Sequence, residues 1–292
     1  MDLHHLKIFY YVATEKSFTK AANKLYINQS AVSIQIKKFE DNLGVKLFDR
    51  SEKKIKLTYA GDTLFKIADD IFKNVKRAEK EIEKVVSDQK GKLVIGATHI
   101  IGEPLLPKII MEIKESYPGM EFEIHIQERD ILLDMLKEGN VDIVLMGDFF
   151  INDKSYSIIP IADYPFILIN KYNIEDKNDL EKIPLISRDD SLILEKNLVT
   201  LERKYNIQIK NRFKVNGSIE TVKNLVIEGI GYTILPYYCV YKEIKNKELQ
   251  VVENFDKFKI GYQAVILRDR MKDIDLIKFI DFIKLFKIEK EL

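Results

Sequence analysis

The stretch NQSAVSIQIKKFEDNLGVKLFDR, residues 28–50, decides how this chain is read. It holds helix-start chemistry, one apolar stripe, several cations and a short turn into a basic ribbon. Asn28 is the expected N-cap of a helix over 29–42, with Ala31, Val32, Ile36, Phe39 and Leu43 pointing inward. Ser30, Ser33, Gln35, Lys37 and Lys38 are left for the outer face, and Gly44 is a natural stop.

Before this stretch, Leu3, Leu6, Ile8, Phe9, Val12 and Ala13 recur at helical spacing and predict a first helix. Ser17 is a good N-cap for a short second helix whose inner face is Phe18, Ala21, Ala22 and Leu25. Two short helices joined by a tight turn match a helix-turn-helix, in which the start of the second helix faces base edges. Gln29 and Ser30 stand there: a glutamine amide can pair bidentately with adenine, and a serine hydroxyl serves a base or a phosphate. Ser33, Gln35 and Lys37 extend the same face, and helix amides near Asn28 can receive a phosphate. Ser17 and Thr19 either cap the second helix or also touch phosphate. On the other side, residues 46–48 and 55–57 read as two short strands around a polar turn. That is a wing, with Arg50, Lys53 and Lys54 suited to the DNA backbone. A lone amphipathic helix with lysines is usually a solvated face. The ordered set of three helices and a ribbon argues for DNA binding instead.

The chain has 292 residues, which points to about two domains. A hydrophobic content of 46% supports real cores, and 32% charged residues are too many for a membrane protein. No stretch approaches the roughly 20 apolar residues of a spanning helix. Met1 to His5 lacks the basic-then-apolar order of a secretion signal, so a cytoplasmic location is expected. The single cysteine, Cys239, is expected to be a small buried hydrophobe, which fits a reducing compartment. Net charge is +1, but residues 1–60 carry 11 Lys and Arg against 6 Asp and Glu. A basic first fifth on a slightly acidic body suggests a polyanion-binding module joined to something else.

Thr58 can cap a long helix continuing to about Ser87. Leu64, Ala68, Ile71, Val75, Ala78, Ile82 and Val85 alternate at gaps of four and three, a heptad seam. It predicts a coiled coil that makes a dimer, or a long helix packed on its own domain. Beyond it, strand and helix patterns alternate. Strands are expected at 92–98, 121–127 and 141–147, with helices at 102–118 and 130–140, the latter capped by Asp130. A second unit follows, with strands at 165–170, 183–188, 212–216, 231–236 and 261–268 and helices at 190–206, 218–229 and 273–286. Parallel sheets covered by helices are implied, with a cleft between two α/β units as the usual place for a small ligand.

Residues 17–65 closely resemble the winged helix-turn-helix of LysR-type transcriptional regulators. Ala21-Ala22, Gln29-Ser30-Ala31-Val32-Ser33, Leu43-Gly44, Leu47-Phe48, Arg50, Leu57-Thr58 and Ala60-Gly61 stand where that family has them. LVIGATHIIGEPLLP, VDIVLMG and GIGYTILP resemble its effector domain. Asn28 stands where serine or threonine is commoner, and the wing has lysines where arginines are common, which weakens bidentate geometry. The resemblance implies a homodimer through the linker helix, assembling into a tetramer on double-stranded promoter DNA. It also implies a two-lobed, periplasmic-binding-protein-like α/β effector domain that accepts a small molecule. The expected domains are a winged helix-turn-helix over 1–58, a linker helix over 59–88 and an effector domain over 89–292. Its first lobe would be about 91–162 and 268–292, and its second about 163–267.

Three strand-to-helix turns are the candidate effector contacts: Thr98, His99 and Ile100; Asp148; and Asn216, Gly217 and Ser218. Backbone amides and hydroxyls there could hold an anion, so an anionic effector is a hypothesis. Each turn also has an ordinary reading as cap chemistry. The four histidines have no carboxylate or cysteine at ligand spacing, so no metal is expected, and no cofactor or catalytic motif stands out. A regulator and not an enzyme is expected. The rival is a solute-binding or enzyme-like α/β protein with an incidental basic N-terminus.

Overall fold

The computed structural model describes residues 2–49, 55–86, 92–147, 150–188 and 192–288. Contacts divide the chain into two units, Met1–Ser87 with Lys137–Gly139, and Asp88–Leu136 with Asn140–Leu292.

The first unit runs α1 (Leu3–Glu15), α2 (Phe18–Leu25), α3 (Gln29–Leu43), β1 (Phe48–Asp49), β2 (Lys56–Leu57) and α4 (Tyr59–Val86). Leu6, Phe9 and Val12 of α1, Ala21 and Ala22 of α2, and Val32, Ile36 and Phe39 of α3 close one apolar core with Leu47 and Phe48. The alanine pair lets α2 approach its neighbours closely, and both alanines are buried. Tyr26, left-handed at φ 55°, turns the chain between α2 and α3. Gly44 does the same after α3 at φ 70°, where a side chain on a non-glycine residue is disfavoured. β1 and β2 pair antiparallel, with Phe48 opposite Leu57.

One expectation fails here, and two alternatives divide along a single helix. Leu43 is expected to point inward, yet it is 38% exposed, because α3 ends there and the chain turns away from the core. The heptad seam of α4 serves both readings in turn. Ala68 is fully buried, and Leu64 and Ile71 pack on the same core. Tyr10 of α1 stacks on Phe65 at 5.9 Å and on Phe72 at 4.9 Å between ring centroids. The first half of α4 therefore completes its own domain, while Val75, Ala78 and Ile82 stay exposed.

The second unit runs β3 (Lys92–Ala97), α5 (His99–Gly102), α6 (Leu106–Ser116), β4 (Glu121–Ile126), α7 (Arg129–Lys137), β5 (Ile143–Gly147) and β6 (Tyr156–Asn170). It continues β7 (Leu185–Ser187), α8 (Leu192–Tyr205), β8 (Arg212–Lys214), α9 (Ile219–Ile227), β9 (Tyr232–Pro236), α10 (Tyr241–Lys245), β10 (Gln250–Leu267) and α11 (Ile274–Leu285). The strands order as β4-β3-β5-β10-β6-β9-β7-β8. β3 runs parallel to β4 and β5, and β7 runs parallel to β8 and β9, as the strand–helix alternation predicts. Strand alternation sorts the core. Leu93, Ile95, Ile143, Leu145, Ala264 and Ile266 face one layer, and Val94, Val144, Met146, Val265 and Leu267 face another with Leu132 and Leu136 of α7.

β6 and β10 are much longer than the expected segments at 165–170 and 261–268. They pair antiparallel from Tyr156–Leu267 to Asn170–Gln250 and form the spine shared by both halves of the sheet. Pro160 and Pro165 lie within β6. Both stand at register shifts, opposite Gln263 and Lys259, where a missing N–H costs the ladder little. The helix expected over 102–118 is shorter, α6 over Leu106–Ser116, with the one-turn α5 ending at Gly102 before it. Proline at 104 cannot continue α5, and Pro107 sits in the first turn of α6 where its missing N–H is tolerated. Asp130 lies inside the first turn of α7 and not at its cap, since the helix already starts at Arg129. Cys239 is buried as expected, and burial pushes its thiol well above the ordinary range.

Candidate nucleic-acid interface

α2 and α3 set up an exposed face. Ser17 caps α2, its Oγ accepting the Lys20 amide at 3.2 Å, and Thr19 is exposed beside it. Asn28 has the extended backbone of an N-cap, but its side chain makes no capping hydrogen bond, which corrects the expectation. Its amide is exposed at the turn instead. Gln29 and Ser33 lie one turn apart on α3, and Gln29 Nε2 donates to Ser33 Oγ at 3.0 Å. Ser30 and Lys37 are exposed on α3, while Ser33 and Gln35 are half-buried. Arg50, Lys53 and Lys54 lie outside the described residues.

Glu40 is a residue that the sequence pattern does not single out. It is 2% exposed, and its Oε1 accepts the amides of Leu47 at 2.8 Å and Phe48 at 3.2 Å. Lys46 Nζ lies 3.2 Å from its Oε2. Burial pushes this carboxyl up, but the two amides and Lys46 outweigh it and hold the pKa below its ordinary value. One buried carboxylate thus fixes the start of the wing to the end of α3. Thr58 fixes the other side: its Oγ1 donates to the Lys46 carbonyl at 2.6 Å and accepts the Gly61 amide at 3.0 Å. Thr58 is therefore the α4 cap that the sequence predicts. Lys16, Ser17 and Lys56 border a groove floored by Ala13, Phe48, Ile55 and Leu57. Lys16 and Lys56 are cations that sequence reasoning passes over. Their placement depends on the αL turn at Lys16, φ 49°, and on the wing register.

In the second unit, the candidate turns stand at the C-terminal ends of parallel strands. Thr98 is 9% exposed, and its Oγ1 has no hydrogen-bond partner among the described residues. α5 behind it is a single turn, so the helix dipole invoked for an anion there is small. His99 Nδ1 lies 2.7 Å from Glu103 Oε1, and Ile100 packs against the apolar core instead of presenting a polar group. Asp148 lies outside the described residues. Asn216 and Gly217 are exposed, and Ser218 caps α9 through the Thr221 amide at 3.2 Å. Gln127 N donates to Ala97 O at 3.2 Å and Val215 N donates to Ser187 O at 2.8 Å, and these bonds hold the strand ends from which Glu128 and Arg188 leave. Arg188 Nη2 then reaches Glu128 Oε1 at 2.7 Å. The structure thus joins the two strand edges through a pair that the sequence does not single out. No group of three or more potential metal-binding side chains occurs among the described residues.

A helix-turn-helix with a wing, followed by a helical linker and a two-part α/β unit, defines a ligand-responsive DNA-binding regulator. Residues 3–62 match the family described as bacterial regulatory helix-turn-helix protein, lysR family, and residues 87–285 match the LysR substrate binding domain. The chain belongs to the LysR family. It is a LysR-type transcriptional regulator with a DNA-binding helix-turn-helix and an effector-binding domain, and not an enzyme. A protein of Cyanidioschyzon merolae named "Probable RuBisCO transcriptional regulator" is 31% identical over 86% of this chain and 86% of its own. A Nostoc protein of the same name is also 31% identical, over 83% of this chain and 75% of its own. A full-length OxyR variant of Pseudomonas aeruginosa shares the fold, with a TM-score of 0.57 at 22% identity over 98% of this chain and 95% of that one. CbnR, solved full-length with its target DNA, has a TM-score of 0.61 at 19% identity over 97% and 99%. No described helix is long and apolar enough to cross a membrane.

Proposed function

We propose that this regulator reads dyad-symmetric promoter DNA through α3 and the wing. The observation that carries the reading is the exposed face of α3, on which Gln29 and Ser33 are joined by a 3.0 Å hydrogen bond. Gln29, Ser30 and Ser33 serve as base or phosphate contacts, with Gln35, Lys37 and Asn28 beside them. Ser17, Thr19, Arg50, Lys53 and Lys54 contact backbone phosphates, joined by Lys16 and Lys56. The module is 1–58, the linker 59–88 and the effector domain 89–292. The exposed second half of α4 makes a homodimer, two of which assemble as a tetramer, so that two reading helices meet two half-sites. The effector, a small anion, binds between a lobe of about 91–162 with 268–292 and a lobe of about 163–267. Thr98, His99, Ile100, Asp148, Asn216, Gly217 and Ser218 serve as its contacts. Binding works as a population shift, which needs different affinities for two lobe arrangements. The protein works in the cytoplasm, where its DNA is.

The test is fluorescence anisotropy of the full chain on DNA from upstream of its own gene, against scrambled DNA, across a salt series. The reading expects steep salt dependence and preference for the upstream DNA. Gln29→Ala should lose that preference, at a cost of about 1–3 kcal/mol, and Lys53→Ala with Lys54→Ala should flatten the salt slope by about two. No binding at low salt by the wild type would reject it.

A further inference from the structure

Glu128 and Arg188 stand on different parts of the sheet, after β4 and after β7, and meet at 2.7 Å. Sheet geometry makes this meeting informative. Ligands of open parallel sheets bind outside the C-terminal ends of the strands, and both residues leave such ends. The pair is also half-open to solvent, the Arg188 side chain being 26% exposed and that of Glu128 68%. An ion pair so exposed gains little over hydration, so it is weak and exchangeable. A guanidinium, in contrast, is the side chain best shaped for a carboxylate or phosphate. The Thr98 hydroxyl, buried and without a partner among the described residues, follows β3, which pairs with β4, and the Asn216–Ser218 turn follows β8, which pairs with β7.

We propose that Arg188 is the anion anchor of the effector cleft and that the Glu128 carboxylate occupies its place until an effector arrives. This rests on the reading that the effector binds between the lobes, and it names the chemistry: a small molecule with a carboxylate or phosphate group. The incoming anion replaces Glu128 on Arg188. The exchange releases a bridge between the two strand edges and gives the effector different affinities for the bridged and unbridged arrangements, the condition for a population shift. Glu128 is the protein's own substitute ligand. It keeps the arginine from capturing abundant weak anions, because each must compete with a tethered carboxylate.

The test is calorimetry of the full chain with inorganic phosphate and with citrate at fixed ionic strength. Glu128→Gln keeps the side-chain size and removes the competing charge, and should tighten binding about two- to fivefold, as an exposed ion pair allows. Arg188→Gln should weaken it by at least about tenfold, the loss expected of a charge-assisted hydrogen bond. The double variant should behave as Arg188→Gln alone. Unchanged affinity in Glu128→Gln, or no binding of either anion by wild type and Glu128→Gln alike, would overturn the exchange. So would binding that survives Arg188→Gln. If that surviving binding is lost in Thr98→Val, the cleft remains the effector site; if it survives that change too, the cleft reading also falls.

Discussion

The Glu40 carboxylate accepts the Leu47 amide at 2.8 Å, and through it the end of α3 is tied to the start of the wing. Two secondary elements proposed to meet DNA together need a fixed mutual angle, and α3 has already ended by Leu43. The buried carboxylate closes that gap.

Glu40→Ala should leave the Leu47 and Phe48 amides without their acceptor, at a cost of about 1–3 kcal/mol for each buried group. The acid limb of stability carries the same signature. Folding lowers the Glu40 pKa, so the unfolded chain takes up the proton more readily. The contribution is full above the ordinary value of 4.5 and is lost as pH falls through the lower folded value. Thermal melts of wild type and Glu40→Gln should converge on acidification. Curves that stay parallel down to acid pH would show that this carboxylate adds nothing to the pH dependence.

Gly61 lies inside α4, yet no larger residue fits. A Cβ there would meet the Leu47 carbonyl oxygen at 2.1 Å and Leu57 Cδ2 at 3.1 Å. The obstacle is wing backbone, which Glu40 and Thr58 already hold. Gly61→Ala, normally favourable in a helix, should here destabilise the DNA-binding unit by about 1–3 kcal/mol. Denaturant unfolding reads the sign, and a stabilised variant would refute the close approach.

These two cases mark where the sequence is legible. α1 to α3 are readable because periodicity, Ser17 and Gly44 all agree locally. Glu40 is not, because a glutamate in a lysine-rich helix reads as surface charge. Its burial depends on amides seven and eight residues away. β6 and β10 are half-legible for a related reason: 165–170 and 261–268 carry strand patterns locally, but the rest of their length depends on the partner strand, where Pro160 and Pro165 stand at register shifts. The turn positions at Thr98 and Ser218 are readable as strand ends. The Glu128–Arg188 meeting is not, since 60 residues separate the two.

The exposed half of α4 is the part of the heptad seam left for a partner. Val75 is 46% exposed and Ile82 65%, whereas Ala68 further up is fully buried in the same domain. Ile82→Asp should therefore act on assembly and leave the fold intact. Sedimentation equilibrium should show the dimer lost, with affinity for a two-half-site DNA falling by at least about tenfold as the linked second contact disappears. A variant that still sediments with the wild type would remove α4 as the dimer contact.

The effector unit has its own buried charge cluster. Asp142, 1% exposed, accepts the Val94 amide through Oδ2 at 2.8 Å and binds Arg270 through Oδ1. Arg270 also holds Asp273, which caps α11 by accepting the amides of Asp275 at 3.1 Å and Leu276 at 3.3 Å. The chain thus ties the start of β3 to the start of α11 through charges largely withdrawn from water. Breaking a buried pair leaves an uncompensated charge, at about 3–5 kcal/mol. For a unit of this size, each kcal/mol lowers the melting temperature by about 2–4 °C. Asp142→Ala should therefore lower the effector-unit transition by about 6–20 °C. The pH dependence follows from Asp273: burial pushes its carboxyl up, but Arg270 and the two amides prevail and hold it below the ordinary 3.8. Its contribution is full above that value and fades as pH falls through the lower folded one. Arg270→Gln removes the charge that prevails over burial, so its effector-unit transition should lose less on acidification than that of the wild type. Calorimetric scans at descending pH measure both, and an Asp142→Ala transition within about 2 °C of wild type would mean that the pair is solvated.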